Sequence, residues 1–110
     1  MNKEEVNEFI EQLEKNRYKE YPSHKDSDKA FYKSFGKSKY KENRSNYQIA
    51  YHLWDLSKYG SEYPLSFSAE VMVSRTVDER IDLHLPCTEI KQVETLADSF
   101  FKWVEENIKL

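Results

Sequence analysis

Apolar and polar positions alternate with period two from Ser66 to Leu85. Phe67, Ala69, Val71 and Val73 interleave with Ser68, Glu70, Met72 and Ser74, and Ile81, Leu83 and Leu85 interleave with Asp82 and His84. Successive side chains of an extended chain point to opposite faces, so the pattern predicts two strands. Arg75 to Glu79 joins them as a hairpin loop somewhat longer than the tightest kind. One face of this hairpin is apolar and needs a cover, while the other is polar and can meet water or a partner.

The period changes to that of a helix at both ends of the chain. Val6, Phe9, Ile10 and Leu13 make one stripe, predicting a helix over Lys3 to Lys15. Asn2 is placed to cap it, with Glu5 completing a capping box. Near the other end, Pro86 closes the preceding strand and Thr88 caps a long helix. Its stripe is Ile90, Val93, Ala97, Phe100, Val104 and Ile108, widened by Leu96 and Trp103.

Between these lie two less regular stretches. Tyr47 to Leu56 is aromatic-rich and reads as a strand, with Tyr47, Ile49, Tyr51 and Leu53 on one face and Gln48, His52 and Trp54 on the other. A helical grouping of Ile49, Leu53 and Leu56 competes with that reading. Residues 16–46 read as a basic, aromatic-rich connector in which Pro22 holds Tyr21 extended. Ser27 or Asp28 then caps a short helix over Lys29 to Phe35, and Gly36 stops it.

The expected fold is a single α+β domain over residues 1–110, a two-layer sandwich of a three-stranded antiparallel sheet with helices on one face. The order is α, short α, β, β, β, α. Its expected core is Phe67, Val71, Val73, Ile81, Leu83, Val93, Leu96, Phe100 and Val104. The order of elements resembles that of a double-stranded-RNA-binding domain. That family places lysines at the start of its last helix, where they meet RNA phosphates. Here the matching stretch, Thr88 to Glu94, holds Lys91 alone, between Glu89 and Glu94. The resemblance therefore covers the order of elements and does not carry RNA binding with it.

Composition narrows the partners. Net charge is -3, so a whole-chain basic signature for nucleic acid is absent. Charge is nonetheless polarised: Lys15 to Arg44 holds ten basic against four acidic residues, and Ser61 to Leu110 holds five against ten. No apolar run approaches the roughly 20 residues that cross a bilayer, so no membrane partner is expected. Cys87 is the only cysteine, which suits a reducing, cytoplasmic setting.

Four chemistries can be weighed on these residues. The leading one is non-catalytic interaction with another protein or with a second copy, as in a regulator, inhibitor or immunity-type protein. It would use His52, Trp54, Met72 and His84 on the polar sheet face, because such side chains suit interface centres. The second is nucleic-acid binding by the basic segment. Lys33, Lys37, Lys39, Lys41 and Arg44 would meet phosphates, and Phe35, Tyr40 or Tyr47 would stack on bases. The third is a metal-dependent hydrolase on the polar sheet face, with Glu70, Asp82, His84 and His52 as its candidates. The fourth is zinc held by His84 and Cys87, which have two residues between them, half of a ligand pattern whose other half is missing. No cofactor is expected.

Overall fold

The computed structural model describes residues 1–21, 29–37, 46–55, 60, 65–74, 79–86 and 89–108. Helix α1 spans Lys3–Lys15 and leads into a two-residue strand β1, Lys19–Glu20. Strands β2 (Lys29–Lys37), β3 (Asn46–Asp55), β4 (Leu65–Ser74) and β5 (Arg80–Pro86) follow, and helix α2 (Ile90–Asn107) ends the order. The five strands form one antiparallel sheet in the order of the sequence.

The three-stranded expectation is thus corrected to five strands. Two strands are added: Lys19–Glu20, expected as part of the connector, and Lys29–Phe35, which is strand and not helix. Phe31, Lys33 and Phe35 alternate there with Ala30, Tyr32 and Ser34, and pairing with β3 outweighs the local helix signals. Gly36 does adopt a left-handed φ of 89°, but it sits where the β2–β3 register shifts between Ser34 and Lys37. It serves a bulge, not a helix end. With five strands and one helix at each end, the order of elements no longer resembles an RNA-binding domain.

Helix α1 starts as its sequence dictates. The Asn2 side chain accepts from the Glu5 backbone N–H at 2.8 Å, and the Glu5 carboxylate accepts from the Asn2 N–H at 3.1 Å. The helix ends with Arg17 at φ 70°. The Tyr18 N–H reaches back to the Leu13 carbonyl and the Arg17 N–H to that of Glu14, a pattern that usually recruits glycine at the left-handed position. Tyr18 and Leu13 are both buried at this turn.

Both helices cover the same face of the sheet. Val6, Phe9 and Leu13 from α1 join Ile90, Val93, Ala97, Phe101 and Val104 from α2 in one core with Ile49, Tyr51, Leu53, Phe67, Ala69, Val71 and Val73. Phe9 packs edge-on against Tyr51 and at 4.7 Å against Phe67, and Tyr47 stacks on Phe101 at 4.9 Å. Most of the expected core is there, with Ile81 and Leu83 partly buried against it. Two positions on α2 differ. Phe101 takes the buried place expected of Phe100, which is half-buried, and Leu96 is exposed. Among the described residues, no helix is long and apolar enough to cross a membrane.

Candidate functional site

Two surfaces remain once the core is built: the sheet face turned away from the helices, and the outer side of α2. The sheet face is set by register. Tyr32, Ala50, Glu70 and His84 lie in one cross-strand row, Ala30, His52, Ser68 and Pro86 in the next, and Ser34, Gln48, Met72 and Asp82 in the row on its other side. Directly opposed and diagonal neighbours on an antiparallel face lie within side-chain reach. Ala50 leaves room between Tyr32 and Glu70, and Tyr21 stacks on Tyr32 at 4.4 Å while its hydroxyl accepts from Gln48 Nε2 at 2.8 Å.

Glu70 is the centre of this face. It is buried, with Oε1 3.4 Å from His52 Nε2 and Oε2 3.3 Å from His84 Nε2. The hydrogen bond from His52 holds the Glu70 carboxyl below the usual carboxylate range, against the opposing effect of burial, and the charges of both histidines and Arg80 add to it. Asp82 is shifted the other way, upward, chiefly by burial and then by the nearby negative charge of Glu70. Arg80 partly offsets this through Nε, 2.9 Å from Asp82 Oδ2. The other oxygen, Oδ1, is buried with no hydrogen-bond partner among the described residues.

The four residues expected to carry chemistry on the sheet, His52, Glu70, Asp82 and His84, are therefore brought together. The four expected to bind a protein share the same face, but only His84 is well exposed. His52 and Met72 are buried, and Trp54 is half-buried with its indole N–H given to Ser68 Oγ at 2.8 Å.

The basic segment is divided. Lys33 points to the helix side of the sheet, where its ammonium lies 3.1 Å from Glu94 Oε1, which also accepts from the Tyr18 hydroxyl at 3.0 Å. The same ammonium lies over the Tyr18 and Phe35 rings. Tyr47 is buried, and Phe35 is exposed with one side toward Phe101. Lys37 ends β2. Lys39, Tyr40, Lys41 and Arg44 lie outside the described residues, as do Cys87 and Thr88; the zinc pair that His84 would form with Cys87 falls with them.

The second surface was misread in the sequence. Leu96 and Trp103 stand seven residues apart on α2 and are 42% and 53% exposed. Beside them is a shallow depression lined by Lys91, Gln92, Thr95, Leu96 and Ser99. The signal was present: both residues sit on the flank of the stripe that Val93, Ala97 and Val104 define. In the sequence such flanking positions read as a wider core stripe. Comparison with protein-family models, curated proteins and solved structures gives no match.

Proposed function

We propose that this chain is a non-catalytic protein-interaction module that pairs with a second copy of itself through the outer side of α2. The observation that carries this reading is the exposure of Leu96 and Trp103 on the flank of the stripe that α2 buries in the core. Two such helices laid antiparallel about an axis near Ser99 and Phe100 set Trp103 of each copy beside Leu96 of the other. Each indole then meets the depression formed by the short side chains of Thr95 and Ser99. This is the self-complementarity a two-fold interface needs.

Magnitudes decide what kind of dimer this is. Fully burying a large apolar side chain contributes about 1.5–3 kcal/mol, and Leu96 and Trp103 are already about half buried, so covering the rest of two from each copy contributes about 3–6 kcal/mol. Association itself costs about 4–15 kcal/mol. The pair is therefore weak and concentration-dependent. Sedimentation equilibrium of the wild type should show a monomer–dimer equilibrium only toward millimolar concentration, and Trp103→Glu should be monomeric throughout with an unchanged circular dichroism spectrum. A wild type that stays monomeric at millimolar concentration, or a Trp103→Glu variant that dimerises as well as the wild type, overturns the reading.

A further inference from the structure

The polar sheet face holds a second feature, independent of α2. One donor atom each from Glu70, Asp82 and His84 lies within 4.8 Å of the other two. Two details set this mixed imidazole–carboxylate group apart from an ordinary solvated patch. The first is the spacing of Glu70 and His84. Their 3.3 Å separation, like the 3.4 Å between Glu70 and His52, is longer than the roughly 2.7–2.9 Å of a strong charge-assisted hydrogen bond. It matches two ligands of one tetrahedral zinc ion, since atoms about 2.1 Å from such a metal lie about 3.4 Å from each other. The second is Asp82 Oδ1, which is buried without a hydrogen-bond partner among the described residues. A carboxylate oxygen in that position is costly unless something positive faces it.

We propose that Glu70, Asp82 and His84 form a binding site for a divalent transition-metal ion of the zinc class, with a fourth position open to water. One imidazole and two carboxylates form a borderline donor set that suits zinc better than calcium or magnesium, which prefer oxygen ligands alone. Two carboxylates also balance the charge of the ion. His52 is a positioning residue: its bond to Oε1 fixes the Glu70 carboxylate and leaves Oε2 turned toward His84. Arg80 does the same for Asp82 through Oδ2. His84 lies on the edge strand with a largely exposed side chain, so an ion can reach the site from solvent.

The test is zinc titration of the full chain by calorimetry, with cobalt as a spectroscopic substitute. One equivalent of zinc should bind, and cobalt should give the visible absorption of a low-coordinate nitrogen–oxygen site without a thiolate charge-transfer band. His84→Ala and Asp82→Asn should each weaken zinc binding at least tenfold while the fold, followed by circular dichroism, is kept. His52→Gln should weaken it by about 10–100-fold with the stoichiometry unchanged, as loss of an outer-shell partner does. Cys87→Ser should leave affinity and cobalt spectrum unaltered. Failure to bind zinc, binding that survives His84→Ala and Asp82→Asn, or binding that is lost in Cys87→Ser overturns the proposal.

Discussion

Tyr18→Phe isolates one hydrogen bond with little else disturbed. The ring stays in place against Tyr51, 5.7 Å away edge-on, and only the hydroxyl that donates to Glu94 is removed. A hydrogen bond to a charged group contributes about 1.5–3 kcal/mol. Glu94 keeps Lys33 at 3.1 Å and is a quarter exposed, so water and the ammonium recover part of that loss. The expected destabilisation near neutral pH is therefore about 1–1.5 kcal/mol, at and just below the lower bound of that range. Urea unfolding with an unchanged m-value measures it. The pH dependence supplies a sharper test. Burial, and then the charge of Glu94, raise the Tyr18 pKa far above the ordinary value near 10. A folded-state pKa above the unfolded one gives stability that is present below the unfolded pKa and is lost as pH rises past it. Above about pH 10 the unfolded chain releases the Tyr18 proton while the native chain keeps it, a loss of about 1.4 kcal/mol per pH unit. The phenylalanine variant lacks this slope. The two stability curves should converge about one unit above pH 10, and other tyrosines cancel from the difference. Curves that stay parallel through the alkaline range, or equal stabilities at neutral pH, would refute the reasoning.

Four further substitutions test the packing and the turns. Phe9→Ala removes the ring that meets both Tyr51 and Phe67, and should lower unfolding free energy by about 3–5 kcal/mol in a urea titration. Leu96→Ala should change stability by less than about 0.5 kcal/mol, as expected of a surface position, whereas Val93→Ala should cost about 2 kcal/mol; similar losses at the two sites would mean that Leu96 is packed after all. Arg17→Gly places the residue that the left-handed turn prefers and should raise the thermal midpoint, by about 0.5–1 kcal/mol in stability, with a lowered midpoint contradicting the turn geometry.

The elements legible in the sequence were those whose pattern and punctuation agreed. Lys3–Lys15 has a stripe, a capping box and acidic residues in its first turn, and all three specify the same helix. The alternation around Glu70 and Asp82 specifies the β4–β5 hairpin and so sets Glu70, Asp82 and His84 on one face. Strand β2 was hidden because its alternation puts Lys33 among the inward residues. A lysine there makes sense only once Glu94 and Tyr18 are seen to receive it, and both arrive from distant parts of the chain. The role of His52 was likewise out of reach. Its bond to Glu70 is a diagonal one across β3 and β4, and depends on a register that no local signal states. Phe100 and Phe101 fit the α2 stripe about equally; stacking on Tyr47 selects Phe101.

The sequential order of the sheet has a consequence in time. Each strand pairs only with its neighbours in sequence, so β2 to β5 can close hairpin by hairpin as the ribosome delivers them. Helix α1 has no such neighbour. Phe9 waits for Tyr51 and then Phe67, 42 and 58 residues later, and at about 5–20 residues per second the second of these is roughly 3–12 seconds of synthesis away. A helix of 13 residues is marginal alone in water, so for that interval its shape rests on the capping box at one end and the Arg17 turn at the other. Weakening either end would lengthen the exposure of Val6, Phe9 and Leu13 to the nascent chain's surroundings, and would show first as lower yield during synthesis and only afterwards as a lower melting temperature.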